Sequence, residues 1–404
     1  MKATKWIAAA AGCAVVSGLY VNALVTAATV AAVIVLGFLY LYFVFFARPN
    51  HVASLDEITD TKWHTVGLGD ATTSGDGSDY AMFVRRGTSK NLVIHFSGGG
   101  ACWDGETASR PIKPVGALRG YTRDLKMFYF NSLTKLFPAA LAGMADRRDT
   151  TNAFRDWSFV FVPYSTGDMH VGNATNTYTH NGKNIEVRHN GRKNCKAVLD
   201  WVYANFPDVD KIMVSGESSG AWASAFYVPQ IADHYTEAKL YCLSDGVGIE
   251  TARWSDILDS TWQADSARTL GFKIGTDLFE SALIHRTDAM THNIKYLHSN
   301  TLYDDTLTRF SAALNHKSTQ TNEFIDDWAA HAKASIKRLD EADIHYSYFL
   351  TDWGHNTKRH TTEHTLTTNE YYNKCTADGV PFSTWVKRNV IDDEDISLGH
   401  ELLL

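Results

Sequence analysis

With 404 residues, 45% hydrophobic and 21% charged, the chain is long enough for one large globular domain or two ordinary ones and can bury a sizeable core. Its formal net charge of -7 leaves no excess of Lys and Arg for phosphates, which excludes a nucleic-acid partner.

The first element is apolar. No charged residue occurs between Trp6 and Ala47, and Lys2, Lys5 and Arg48 bracket the stretch. One membrane span needs roughly 20 apolar residues, so the stretch is long for one helix and short for two, with a weak point around Ser17-Gly18 and Asn22. Three readings stay open. A signal anchor would keep Lys2 and Lys5 cytosolic, a cleaved signal peptide would use a small-residue site such as Val25-Thr26-Ala27-Ala28, and a two-helix hairpin would return the chain to the cytosolic face. The anchor is the working expectation. It divides the chain into a hydrophobic segment, residues 1–50, and a domain, residues 51–404, which is lumenal or extracellular, or secreted if the segment is cleaved. The sequon Asn173-Ala174-Thr175 is compatible with that side of a membrane.

After Arg48-Pro49 the composition turns polar, and short apolar runs alternate with amphipathic stretches. Leu92–Phe96 and Ser158–Val162 are rich in β-branched and aromatic residues and end in Gly- or Pro-containing turns, so they are predicted strands. Cys195–Phe206 has helical spacing, with Val198, Trp201 and Val202 on one face and Pro207 closing it. Lys211–Val214 is the next strand, and an Ala-rich helix runs from Ser219 towards His234. Further strands are expected at Leu240–Leu243, Ile294–Leu297 and Tyr346–Leu350. Alternation of this kind predicts an α/β-hydrolase-like, doubly wound, mostly parallel sheet with functional residues at the carboxyl ends of its strands.

Two turns carry chemistry. Gly216-Glu217-Ser218-Ser219-Gly220 lies between a predicted strand and a predicted helix, the setting of a nucleophile elbow. Glycines two residues either side of Ser218 let strand and helix pack close, and the helix N-terminus faces a developing oxyanion. Ser97-Gly98-Gly99-Gly100-Ala101-Cys102-Trp103 directly follows a strand, where a glycine-rich loop can bring backbone N–H groups to a substrate oxygen. No Gly-Lys-[Ser/Thr] and no GxGxxG completes a phosphate loop. A triad in the order Ser, acid, His leaves Asp245, Asp304 and Asp305 as acids, and His345, His355, His360 and His364 as bases. His360 and His364 are spaced like a zinc pair. The Asn and Thr around them do not favour a helix, and no His-Glu-x-x-His is formed, so no metal is expected.

The loop Gly98-Gly99-Gly100-Ala101-Cys102 resembles the Gly-Gly-Gly-Trp-Cys loop of the pectin acetylesterase family, which includes the Notum lipid deacylases. Pro163-Tyr164-Ser165-Thr166-Gly167-Asp168-Met169-His170-Val171-Gly172-Asn173, the elbow and Leu243-Ser244-Asp245-Gly246 extend the resemblance, which covers roughly residues 60 to 392. Ser165 stands where the family often has Cys, and Ser219 where it usually has Ala. Tyr303-Asp304-Asp305 is similar to the family's Tyr-Asp segment, which implies Asp304 as the triad acid. His364-Thr365-Leu366, Tyr371-Tyr372, Gly379 and Trp385-Val386 follow the family's order after its catalytic histidine, which implies His364, with His355 the main rival.

The resulting expectation is a serine esterase acting on O-acetyl or other O-acyl groups of a carbohydrate or another ester. Ser218, His364 and Asp304 form its triad, and the N–H groups of Gly99, Gly100 and Ser219 form its oxyanion hole. No cofactor is required. Trp103, Tyr164 and Trp222, with Trp353, are placed to wall an acyl or sugar pocket, although core packing accounts for each equally well. A catalytically inactive membrane-anchored binding protein and a longer-chain lipid deacylase are the rival functions. Cys102, Cys195, Cys242 and Cys375 could make two disulfides, or stand as scattered buried thiols.

Overall fold

The computed structural model describes residues 23–45, 49–112, 127–132, 141–286, 293–317 and 321–404. Cys13 and the Ser17-Gly18 and Asn22 weak point lie outside the described residues. Helix α1 (Ala23–Phe45) and the sheet domain that follows Pro49 are separate compact units. Helix α1 carries no charge along 23 residues, about 34 Å at 1.5 Å per residue. Val30, Ile34, Leu36 and Phe38 are exposed on it. Among residues with described side chains, no helix is long and apolar enough to cross a membrane. On α1 those side chains run from 25 to 40, fewer than the roughly 20 a span needs.

The domain is built on one eight-stranded sheet. Its strands are β1 (His64–Gly67), β2 (Ala81–Arg85), β3 (Leu92–Phe96) and β4 (Ser158–Val162), then β7 (Lys211–Glu217), β8 (Lys239–Asp245), β9 (Ile294–Thr301) and β10 (Tyr346–Thr351). A separate hairpin, β5 (Ala174–His180) and β6 (Lys183–His189), falls between β4 and β7. The spatial order is β1-β2-β4-β3-β7-β8-β9-β10. Pairing is parallel from β4 to β10 and antiparallel at β1 and β2.

Every β3 residue is buried, and successive side chains point to opposite faces. Leu92, Ile94 and Phe96 join the core cluster that contains helix α3 (Ser219–His234). Val93 joins the opposite cluster with Phe382, Trp385 and Val386 of a C-terminal helix (Phe382–Val390). Helix α2 (Gly191–Asn205) buries Cys195, Val198, Leu199 and Val202.

The thiols correct the disulfide expectation. Cys102, Cys195, Cys242 and Cys375 are all free and buried. The first three sit in the cluster on one face of the sheet and Cys375 in the cluster on the other, so they pack as small apolar side chains.

Candidate active site

Strand β7 ends at Glu217 and α3 begins at Ser219, which leaves Ser218 alone in the turn. Its backbone has φ 54° and ψ −129°, a region that a residue with a Cβ rarely occupies and that costs on the order of 1–3 kcal/mol. The surroundings over-determine it. The Ser218 N–H donates to the Asp245 carbonyl at 2.8 Å, and the Ser218 carbonyl accepts from Ala221 N–H. A Cβ on Gly216 would lie 1.9 Å from the Gly220 carbonyl oxygen, and one on Gly220 would lie 2.0 Å from that of Phe96. Only glycine fits at either place.

The upstream glycine loop closes over the same point. A Cβ on Gly98 would come within 2.9 Å of the Ser218 Cβ, and Gly100 has φ +76° against the Phe128 carbonyl. Gly99 gives its carbonyl to Phe130 N–H at 2.9 Å. Among hydrogen bonds between described residues, the N–H groups of Gly99, Gly100 and Ser219 have no acceptor.

Helix α4 (Asp305–Leu314) starts after β9 with Asp304 as its N-cap. Asp304 Oδ1 accepts from the N–H groups of Thr306 and Leu307 at 2.9 and 2.8 Å. Its Oδ2 is 2.7 Å from His364 Nδ1, with the two side chains 1% and 7% exposed. His364 Nε2 is buried without a hydrogen-bond partner among the described residues. The His364 Cε1 lies 3.2 Å from where a Gly246 Cβ would stand, next to the Asp245 carbonyl that holds Ser218. Burial opposes a charge on His364, but Asp304, and then Asp245 and Glu217, outweigh it and leave the imidazole above its usual value.

The other candidates have different partners. Asp305 pairs with Arg309 at 2.6 Å. His355 contacts His360 at 3.3 Å, and His360 contacts Asp326 at 2.6 Å, so His360 and His364 do not converge on one site. His345 pairs with Asp395.

Ser218 opens into a small, partly open pocket with an empty volume of about 320 Å³. Trp103 and Trp222 line it, together with Trp254, Leu307, Phe310 and Leu314. Tyr164 is not among the residues that line it. It is 0% exposed, its ring sits where a Gly99 Cβ would come within 2.3 Å, and its hydroxyl accepts Met169 N–H at 3.1 Å. It is a buttress beneath the glycine loop.

Met169 was not foreseen, although it falls inside the quoted segment. It lines the cavity with φ 51°. Buried Asp168 holds that backbone by accepting from Thr166 Oγ1 and from the N–H groups of His170 and Gly191, and burial pushes its carboxyl up to about 6. On α4, Leu307, Phe310 and Leu314 stand at i, i+3 and i+7. That spacing was a readable signal for one apolar face turned inward.

The sheet is mostly parallel, with a strained Ser turn after one strand and a His–Asp pair beyond later strands, in the chain order Ser, Asp, His. The pectinacetylesterase family model matches residues 67–253, a span that contains the glycine loop and the elbow and stops before Asp304 and His364. The crystal structure of the Wnt deacylase Notum from Drosophila superposes with a TM-score of 0.55, at 14% identity, over 84% of this chain and 95% of that one. Comparison with curated proteins gives no match. The family match and the shared fold support an esterase or deacylase activity.

Proposed function

We propose that the protein is a serine esterase that removes small O-acyl groups through an acyl-enzyme on Ser218. The observation that carries the reading is the 2.7 Å pair between His364 Nδ1 and Asp304 Oδ2, taken together with an elbow serine held at φ 54°. With Nδ1 on Asp304, the neutral imidazole presents Nε2 as the base. Nε2 takes the Ser218 proton as Oγ attacks the ester carbonyl, and Asp304 fixes the tautomer and stabilises the imidazolium. The free N–H groups of Gly99, Gly100 and Ser219 receive the oxyanion; each such donor is typically worth about a hundredfold or more in rate. The proton on Nε2 passes to the departing alcohol. Water, deprotonated by the same nitrogen, then releases the acid.

The family match favours a short acyl group, since acetyl is the group that its name carries. Trp103, Trp222, Trp254, Phe310, Leu307 and Leu314 give the pocket beside Ser218 an apolar wall suited to an acyl group. An acetylated polyhydroxyl compound such as a polysaccharide fits the family match better than the Wnt substrate named for the Drosophila structure. Hydrolysis of p-nitrophenyl esters from C2 to C12 by the full chain, with Ser218→Ala as control, tests both points. Fastest turnover at C2, abolished in the variant, is expected. Equal activity in Ser218→Ala would sink the esterase reading, and a maximum at C8 or above would sink the short-acyl one.

Membrane attachment is a separate part of the proposal and rests on the uncharged helix α1. Extraction by detergent, and not by alkaline carbonate, is the expected behaviour. The accompanying lumenal or extracellular placement predicts glycosidase-sensitive mass at Asn173.

A further inference from the structure

His364 sits on an irregular segment, and an imidazole that must transfer a proton has to be held within about 0.5 Å of its working position. Asp304 secures the ring through Nδ1 only. The backbone beyond it, with Thr365 at φ 57°, is secured from elsewhere.

Two carboxyl groups do this. Asp245 Oδ2 accepts from the N–H groups of Leu366 and Thr367 at 2.6 and 2.8 Å and from Thr367 Oγ1 at 2.8 Å. Its Oδ1 accepts from Ser299 Oγ at 2.7 Å. Glu217 Oε2 accepts from Thr368 Oγ1 at 2.7 Å. Glu217 and Asp245 are the last residues of neighbouring strands and face each other in the β7–β8 register. Glu217 also immediately precedes Ser218. The clasp therefore ties the histidine segment to the strand end that carries the nucleophile and to the strand end whose carbonyl holds the nucleophile's N–H.

Such a clasp is costly to build. Asp245 is 1% exposed, and a buried carboxylate is tolerated only when its oxygens are satisfied. Three of its four donors come from Leu366 and Thr367. A segment needed only for packing could be held by apolar side chains at lower cost, as Leu366 itself is on the face of the sheet that carries Trp385.

We propose that Asp245 and Glu217 are positioning residues that hold the His364 imidazole against Ser218 by clasping residues 366–368, without touching the substrate. The proposal rests on the reading of Ser218 and His364 as nucleophile and base. Where ionised, both carboxylates also favour the imidazolium that forms during acylation, although burial raises Asp245 and pushes Glu217 up to about 7.

The test uses the full chain in detergent, with kcat and KM for p-nitrophenyl acetate and the rate constant for phosphonylation of Ser218 by a fluorophosphonate, each per folded molecule. Asp245→Asn should lower kcat and the phosphonylation rate on the order of a hundredfold, the scale of an ångström's misplacement, with KM within about twofold. Thr367→Val and Thr368→Val each remove one hydroxyl donor and should lower both rates about tenfold. They decide the matter if Asp245→Asn does not fold. Glu217→Gln keeps the acceptor for Thr368, so it should lose less than Glu217→Ala while moving the acid limb of the pH profile downward. Folded variants that phosphonylate at the wild-type rate, or that raise KM at unchanged kcat, overturn the proposal. Failure of the wild-type protein to react at all instead overturns the esterase reading beneath it.

Discussion

Asp304 divides its carboxylate between two tasks: Oδ2 holds His364 Nδ1 at 2.7 Å, while Oδ1 caps helix α4 through the N–H groups of Thr306 and Leu307. A helix-capping aspartate and a triad acid are usually alternative explanations of one residue. Here the cap fixes the carboxylate rigidly enough to orient the imidazole, and the helix that it starts supplies Leu307, Phe310 and Leu314 to the cavity.

The two tasks separate on mutation. Asn is as good an N-cap as Asp, so Asp304→Asn should leave the melting temperature nearly unchanged. Its amide NH₂ towards Nδ1 selects the wrong tautomer, and kcat should fall by about 10⁴. Asp304→Ala should lose the same activity and also about 1 kcal/mol of stability. Thermal denaturation alongside esterase kinetics separates the two effects.

The pH profile follows from the carboxylates around His364. The base must be neutral to accept the Ser218 proton, and its pKa is held above the ordinary 6.5. Activity should therefore be lost as pH falls through a midpoint above 6.5. A kcat/KM profile on p-nitrophenyl acetate measures it, and a midpoint below 6.5 would contradict the charge environment described.

Gly216→Ala and Gly220→Ala should each destabilise the protein by at least about 3 kcal/mol or prevent folding, since the new methyl group meets backbone oxygen near 2 Å and no side chain can yield. Gly182→Ala, on the β5–β6 turn with open space around it, should be mild, its only cost being a φ of +72°. Urea denaturation of the three variants is the comparison.

With four buried free thiols, the domain should not depend on oxidation. Its melting temperature should be the same with and without dithiothreitol. Labelling of Cys102, Cys195, Cys242 and Cys375 by a maleimide should require denaturant, because burial raises every one of these thiols and hides it.

Much of the sheet was legible because its parallel strands are buried on both faces and therefore read as apolar runs. Leu92–Phe96 and Ser158–Val162 match the predicted spans residue for residue, as does the helix Ser219–His234. Strand β9 was read as ending at Leu297, but it runs on through His298-Ser299-Asn300-Thr301. Three of those polar residues bond distant partners, Ser299 to Asp245, Asn300 to Val247 and Thr301 to the Glu363 carbonyl, and no local pattern announces such bonds. Strand β5 alternates between half-buried and exposed residues that are mostly polar, and β6 has only Ile185 and Val187 as apolar residues, so the hairpin carried little apolar signal.

The site divides along the same line. The elbow and the glycine loop were readable because backbone crowding demands glycine at fixed positions. The cavity was not, since Met169, Ile249, Trp254 and helix α4 converge on Ser218 only through the fold. Asp245 was visible as a possible acid, and its geometry gives it the His364 segment rather than the imidazole.

Intact-mass spectrometry of the protein quenched in acid during turnover of p-nitrophenyl acetate tests the central claim most directly. A species heavier by one acetyl group is expected, with the modification mapped to Ser218 and absent from Ser218→Ala. Turnover with no covalent species, or with acetyl on another residue at the same level in Ser218→Ala, would contradict it.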